Sequence, residues 1–179
     1  MIKLHLGCGK RDFGTDWIHI DGGDFPHLYS HDITKLNFDD NSADIIYSSH
    51  VLSYFDREEV LTVLSEWKRV LRKGGILRLA VPDFKVMSGL YFVGKFPLKS
   101  FLGPLYGKMK MGDKTIYHKT VYDFEDLKEI LESVGLRDVR RYDWRKTEHS
   151  RIDDCSAAYL PKMDFDAGTL ISLNVEATK

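Results

Sequence analysis

The sequence has little of several features that mark specialised classes of protein. Its only cysteines, Cys8 and Cys155, lie far apart and form no CxxC pair, so neither a disulfide framework nor a cysteine zinc site has support. No run approaches the roughly 20 apolar residues that a bilayer crossing requires, and the first residues lack the pattern of a secretory signal. We therefore expect a cytoplasmic protein without membrane insertion.

An excess of charge of one sign is also missing. The net charge is −1 and the pI is about 6.7, which argues against a protein whose main ligand is nucleic acid. The chain of 179 residues is 43% hydrophobic and 30% charged, as is usual for one soluble globular domain. We expect a single domain over residues 1–179.

Short apolar segments, followed by glycine, serine, proline or an acidic residue, occupy the first half of the chain. They predict five strands, at 3–6, 17–20, 28–31, 43–48 and 76–81. Only ten residues separate the first strand from the second, which is too few for the usual crossover helix. We therefore expect a short turn there.

Two helices carry clear signals at their amino termini. Asp56 and Glu59 form a capping box before apolar residues at helical spacing, and Asp123 caps a second helix. A strand at 139–142 follows, and the alternating segment 169–177 suits an antiparallel partner for it.

These elements predict an α/β fold, a doubly wound Rossmann-like and mostly parallel seven-stranded sheet with an antiparallel terminal strand and helices on both faces. In such a fold the ligand crevice lies at the carboxyl ends of the parallel strands. Those ends are at Gly7, Asp21, Asp32, Ser48 and Pro82.

The glycine turn and the two aspartates are the first candidates for ligand binding. The Gly7-Cys8-Gly9 turn can point backbone N–H groups at an anion, although a GxG alone also occurs as a structural turn. Asp21 could accept hydrogen bonds from ribose hydroxyls, or be a solvated residue at a strand end. Asp32 could accept from an adenine amino group beside Ile33, or be a loop residue.

The succession of motifs resembles the class I methyltransferases, particularly the small type 11 branch. The matching segments are Leu6-Gly7-Cys8-Gly9, Asp21, the HDITKL segment from His31 to Leu36, the segment from Ala43 to Leu52, Val70 to Gly75, Phe124 to Leu127, and Gly135-Leu136. Only residues 84–116 and 143–168 fall outside the resemblance.

The resemblance implies S-adenosyl-L-methionine as the cofactor. It places the methionine part at Gly7 and Gly9, the ribose at Asp21 and the adenine at Asp32 and Ile33. The complete set that it implies is Leu6, Gly7, Cys8, Gly9, Asp21, Gly22, Asp32, Ile33, Ser48, Ser49 and His50, the last three beneath the sulfonium. Two residues depart from the family's pattern, because His5 replaces an acid and Arg11 a glycine. Arg11 or Lys10 could pair with the cofactor's carboxylate, or be a solvated surface charge.

Methyl transfer is an in-line displacement, in which alignment supplies most of the acceleration and no catalytic dyad is required. If the acceptor is a hydroxyl, the candidate bases are His50, Asp83 and His118, with His50 the first choice. Each could instead position the substrate. The remaining histidines lack a ligand spacing such as HExxH, so we expect no metal site.

Residues 84–119 carry seven lysines and many aromatic residues but a single acid, Asp113. We expect a substrate cap, inserted after the fifth strand, that selects a small acceptor of anionic or sugar-related character for O- or N-methylation. A solvated lysine face or a dimer contact is the alternative, which leaves a homodimer open. The connector at 143–168 is expected to be a solvated loop, with folding back on the site as the alternative.

Two other functions are compatible with a glycine turn and an acidic residue after the second strand. A dinucleotide-dependent oxidoreductase would need glycine where Asp12 stands, and also a full crossover helix. A non-catalytic S-adenosylmethionine-binding regulatory or scaffolding protein remains an alternative, because fold does not establish catalysis.

Overall fold

A computed structural model describes all residues from 1 to 179. Its strands are β1 (Lys3–Leu6), β2 (Ile18–Ile20), β3 (Leu28–Ser30), β4 (Ala43–Ser49), β5 (Leu71–Pro82), β6 (Met109–Met111), β7 (Lys114–Ile116), β8 (Arg137–Arg141), β9 (Tyr159–Leu160), β10 (Thr169–Leu170) and β11 (Ser172–Thr178). Its α-helices are α1 (Glu59–Val70), α2 (Phe84–Phe92), α3 (Leu102–Tyr106) and α4 (Phe124–Ser133). None of the helices has the length and apolar character needed to cross a membrane.

The main sheet has seven strands in the order β3-β2-β1-β4-β5-β11-β8. Strands β1 to β5 pair in parallel, whereas β11 runs antiparallel to both of its neighbours. The α/β fold class and the antiparallel pairing of β11 with β8 are therefore confirmed. Strand β11 also pairs with β5, from Ser172 opposite Pro82 to Thr178 opposite Ile76, so the antiparallel strand lies one position in from the edge.

One face of this sheet is apolar and packs against the two longest helices. Alternate residues of the central strands, such as Leu4, Ile46 and Leu77, point to this face and are completely buried. Trp67 of α1 and Leu131 of α4 belong to the same cluster. Most of the hydrophobic core therefore lies between these helices and the sheet.

The opposite face is polar and aromatic, and loops rather than long helices cover it. His5 of β1 stacks on Phe13 with ring centroids 3.9 Å apart, and His149 stacks on the same Phe13 ring at 4.5 Å. The Tyr47 hydroxyl donates a hydrogen bond to the buried carboxylate of Asp154. The long helices therefore pack on one face only, contrary to the expectation of helices on both faces. The expectation of a solvated connector at 143–168 was also wrong, because residues 147–159, which include a 3-10 helix at Cys155–Ala157, cover much of the second face.

Both predicted helix caps are present. Asp56 Oδ1 accepts from the backbone N–H of Glu59 at 2.8 Å, and Glu59 Oε2 accepts in return from the N–H of Asp56 at 2.9 Å. Asp123 Oδ1 accepts from the N–H of Asp126 at 3.0 Å. These bonds satisfy N–H groups that the first turn of a helix leaves free.

Residues 84–119 fold into α2, α3 and the β6–β7 hairpin. Met87 and Phe101 form a small second core with Ile171. On the other side, the Tyr54 hydroxyl donates to the carbonyl of Gly107 at 2.5 Å. The hairpin therefore lies over the loop that follows β4, on the side where the parallel strands end.

Candidate functional site

The turn after β1 can be built only with glycine. Gly7 has φ +70°, and a Cβ at this position would lie 2.1 Å from Cγ2 of Val51. Gly9 also has a positive φ, +56°, and its missing side chain would meet nothing closer than 4.0 Å. The turn thus leaves open space in front of Gly9, where a ligand can approach the backbone.

Asp21, at the end of β2, is joined to this turn by hydrogen bonds. Its Oδ2 accepts from the N–H of Gly9 at 2.8 Å, and its Oδ1 accepts from the N–H of Gly23 at 2.7 Å. Each carboxylate oxygen can accept a further hydrogen bond. The half-buried carboxylate is thus fixed in orientation and can still accept from a pair of vicinal hydroxyls, which fits a ribose.

The next strand end carries the residues predicted to meet adenine. Asp32 Oδ1 accepts from the backbone N–H of Thr34 at 2.8 Å and from its hydroxyl at 2.6 Å. These bonds, led by the hydroxyl, lower the pKa of Asp32. Ile33 packs against the main core, and its carbonyl accepts from Nε1 of Trp67 at 2.7 Å. The Asp32-Ile33 segment is therefore held in place without using Asp32 Oδ2.

The end of β4 presents three polar residues in different environments. Ser48 is buried and donates to the carbonyl of Leu6 at 3.0 Å, so it joins β4 to the strand that leads into the glycine turn. The Ser49 hydroxyl is buried without a hydrogen-bond partner. An unpaired buried hydroxyl costs free energy, so Ser49 is a polar group at this strand end that the protein leaves unsatisfied.

His50 follows directly, and its ring is tied to β11. Its Nε2 lies 3.1 Å from the hydroxyl of Ser172. Burial, followed by the electrostatic effects of His118 and Arg11, lowers the pKa of His50 to about 3. The imidazole is therefore neutral at physiological pH and holds a proton weakly, so this environment favours a role in positioning over proton removal.

The other two candidate bases are engaged in the fold. Asp83 is buried, caps α2 by accepting from the N–H of Val86 at 3.1 Å, and faces Arg141 at 3.4 Å. His118 Nδ1 lies 3.0 Å from the carbonyl of Pro104, and burial lowers the pKa of this histidine. The structure thus places Asp83 and His118 in structural contacts, and only His50 keeps an unused ring nitrogen at a strand end.

Arg11 follows the glycine turn by two residues and has no carboxylate partner. Its Nε donates to the backbone carbonyl of Asp153 at 2.7 Å. Burial raises the pKa of the Cys155 thiol, and the charge of Arg11 opposes that rise. Neither Cys155 nor Ser172 was singled out from the sequence, because both come from the carboxyl-terminal third, where no motif marks them. Cys8 is buried, and burial followed by the charge of Asp21 raises the pKa of its thiol to about 12, so it is unreactive.

Comparisons with known proteins find one related sequence family and several related folds. The profile of a family described as a methyltransferase domain matches residues 17–79. No curated protein matches the sequence significantly. A solved S-adenosylmethionine-dependent methyltransferase from Archaeoglobus fulgidus is 17% identical with a TM-score of 0.59, over 99% of this chain and 85% of that one.

Two further structures share the fold at similar distance. A Mesorhizobium loti S-adenosylmethionine-dependent methyltransferase is 16% identical with a TM-score of 0.57, over 99% of this chain and 90% of that one. Burkholderia thailandensis 1,6-didemethyltoxoflavin-N1-methyltransferase, solved with its acceptor and S-adenosylhomocysteine, is 14% identical with a TM-score of 0.56, over 99% and 70%. The family match over residues 17–79 and the fold shared with these enzymes make the chain similar to S-adenosylmethionine-dependent methyltransferases.

Proposed function

We propose that the chain methylates a small acceptor of anionic or sugar-related character at oxygen or nitrogen. The observation that carries the proposal is the pairing of a fixed carboxylate, Asp21, with an arginine that has no carboxylate partner, Arg11, both close to Gly9 of the glycine turn. S-adenosylmethionine supplies a methyl group on a positively charged sulfonium. Its ribose needs hydrogen-bond acceptors and its carboxylate needs a cation.

In this proposal each strand end binds a different part of the cofactor. Asp21 and Gly22 hold the ribose, and Asp32 with Ile33 holds the adenine. Gly7, Gly9 and Arg11 hold the methionine part. Leu6, Cys8, Ser48, Ser49 and His50 line the space beside the sulfonium. The rigid strand ends would contribute by fixing the direction from which an acceptor reaches the methyl carbon.

The acceptor side is formed by residues 84–119, which we propose to be the substrate cap. Met111 Sδ lies 2.8 Å from where a Cβ of Gly22 would be, so the β6–β7 hairpin covers the ribose end of the crevice. Lys108, Lys110 and Lys114 lie close to Met111 in the chain and are exposed, and Asp113 is the single acid of residues 84–119. A basic cap of this kind favours an acceptor that carries a phosphate or carboxylate.

Labelled methyl transfer to matched acceptors tests the proposal. Each pair consists of a sugar phosphate and the same sugar without phosphate, and the chain is compared with the variant Lys108→Gln/Lys110→Gln/Lys114→Gln. We expect turnover on phosphorylated members, with KM raised about tenfold in the variant, since three partly screened charges are lost. Affinity for S-adenosylhomocysteine should stay within a factor of about two, because the site residues named above are untouched.

A matched control changes the same number of charges elsewhere in the cap. Lys85, Lys95 and Lys99 are exposed on α2 and the segment after it, and replacing them by glutamine should leave the KM unchanged. Equal turnover of neutral and phosphorylated sugars would contradict the anionic acceptor. Tight binding of the cofactor and of its product without transfer to any acceptor would instead support a non-catalytic scaffolding role.

A further inference from the structure

His50 occupies an unusual backbone position at the end of β4. Its φ is +54°, which a residue with a side chain adopts at a cost, and its N–H donates to the carbonyl of Ala80 at 2.7 Å. This conformation sends the ring across the end of β5 to Ser172, the first residue of β11. The ring therefore spans three neighbouring strands at the carboxyl edge of the sheet.

A chain of hydrogen bonds behind the ring determines which nitrogen carries the proton. Asn174 Nδ2 lies 2.9 Å from the backbone carbonyl of Ser156. A carbonyl can only accept, so this contact fixes the amide with Oδ1 toward Ser172. Ser172 Oγ lies 3.0 Å from that Oδ1 and must donate its single hydrogen there. The Ser172 oxygen is then left as an acceptor for His50.

It follows that Nε2 of His50 carries the hydrogen and donates it to Ser172. In a neutral imidazole the other nitrogen, Nδ1, is then bare and can only accept. Nδ1 has no partner within the protein and is not sealed from solvent, whereas Ser172 and Asn174 are each 3% exposed. Ser172 and Asn174 therefore hold the ring through Nε2 and leave Nδ1 free to accept a hydrogen bond.

We propose that Ser172 and Asn174 are positioning residues that lock His50 in the Nε2–H tautomer, so that Nδ1 accepts a hydrogen bond from the O–H or N–H group to be methylated. This proposal rests on the proposed function. It restricts the methyl acceptor to a molecule whose reacting oxygen or nitrogen carries a hydrogen.

The low pKa of the ring gives this nitrogen the role of an acceptor rather than a base. Burial, followed by the electrostatic effects of His118 and Arg11, lowers the pKa of His50, and no carboxylate hydrogen-bonds to its ring. During transfer, the acceptor's lone pair forms the bond to the methyl carbon while the carbon–sulfur bond breaks and its electrons stay on sulfur. The acceptor's proton then leaves to solvent, since the ring cannot retain it at neutral pH.

Nitrogen-15 NMR of the histidine side chains tests the tautomer directly. In the intact chain at pH 7, Nδ1 of His50 should resonate as an unprotonated nitrogen and Nε2 as a protonated one. Ser172→Ala should give a mixture of tautomers, Ser172→Thr should restore the Nε2–H form, and Ser133→Ala at the exposed end of α4 should change nothing. A protonated Nδ1 in the intact chain, or a single unchanged tautomer in Ser172→Ala, would overturn the proposal.

A pair of substitutions at His50 separates the two edges of the ring. Asparagine carries a polar atom near the position of Nδ1 and tolerates a positive φ, whereas glutamine reaches toward Ser172 in place of Nε2. We expect His50→Gln to lower kcat about tenfold and His50→Asn to lose less, the difference being one hydrogen bond. The rate should show no ionisation near pH 6.5.

These outcomes are distinguishable from failure of the proposed function. Ser172→Ala and Ser172→Thr, which lie outside the cofactor site, should bind S-adenosylhomocysteine with the affinity of the intact chain, and the product should shift the Nδ1 resonance of His50 while leaving that of His149 unchanged. Absence of product binding would refute the proposed function and leave the tautomer result standing. Full activity in His50→Gln, or a rate that follows an ionisation near pH 6.5, would refute the positioning role itself.

Discussion

His149 offers a quantitative test of how the helix-free face of the sheet is built. Its ring lies between Phe13 and Tyr47, with centroids 4.5 and 4.2 Å away, and is 4% exposed. Neither ring nitrogen has a hydrogen-bond partner. Burial, with a smaller contribution from Arg78, lowers the pKa of this imidazole from 6.5 to about 4. The residue therefore packs as an aromatic ring while carrying unpaired polar atoms.

The change His149→Phe should stabilise the chain, and more so in acid. At pH 7 it removes two unpaired polar atoms, worth about 1–2 kcal/mol. Below pH 6.5 the imidazole takes up a proton in the unfolded chain and not in the folded one, so its contribution to stability falls with pH. With a pKa of about 4 in the folded state, the loss reaches about 2 kcal/mol at pH 5. The variant avoids this loss.

Urea unfolding followed by tryptophan fluorescence at pH 7 and pH 5 measures both effects. The free energy of unfolding of His149→Phe should exceed that of the parent by about 1–2 kcal/mol at pH 7 and by about 3–4 kcal/mol at pH 5. His31→Gln, which removes an exposed imidazole, serves as the control and should leave the difference between the two pH values unchanged. A destabilised His149→Phe with the pH dependence of the parent would refute the reasoning.

Three further predictions concern the elements that hold the strand ends. Gly7→Ala should abolish soluble expression, because Gly7 has a positive φ and a side chain there would clash with Val51. Adding Val51→Ala removes only the clash, so size-exclusion chromatography of the double variant should show partial recovery of soluble protein. Asp123→Ala should cost about 1 kcal/mol of unfolding free energy in urea, the usual value of a helix cap. Trp67→Phe loses the hydrogen bond to the carbonyl of Ile33 and part of a fully buried ring, so it should lower the free energy of unfolding in urea by about 2–3 kcal/mol. An unchanged urea midpoint in Asp123→Ala or in Trp67→Phe would contradict the role given to that residue.

Local patterns made part of the fold predictable. The caps at Asp56 and Asp123 and the strand ends at Gly7 and Asp21 depend on residues close together in sequence, and the structure has each of these caps and strands. The position of β11 between β5 and β8 could not be read in this way, since alternation indicates a strand but not both of its neighbours.

The cover of the second sheet face was unpredictable for a different reason. The connector carries no helical or strand periodicity, yet Tyr47 bonds to Asp154, more than a hundred residues away in sequence. The same holds for Ser172, whose contact with His50 joins residues 122 apart. Such contacts depend on how distant segments pack on the second sheet face, and no local sequence pattern predicts them.

The central claim is that the turn at Gly7–Gly9 and Asp21 form the cofactor site, and calorimetric titration with S-adenosylhomocysteine tests it most directly. The intact chain should bind the product, and Asp21→Ala should weaken binding about a hundredfold or more while the circular dichroism spectrum stays the same, because two hydrogen bonds to a charged acceptor are lost. Asp24→Ala makes the same change of charge at an exposed residue nearby and should bind as the parent does. Equal affinity in Asp21→Ala and the parent would contradict the account.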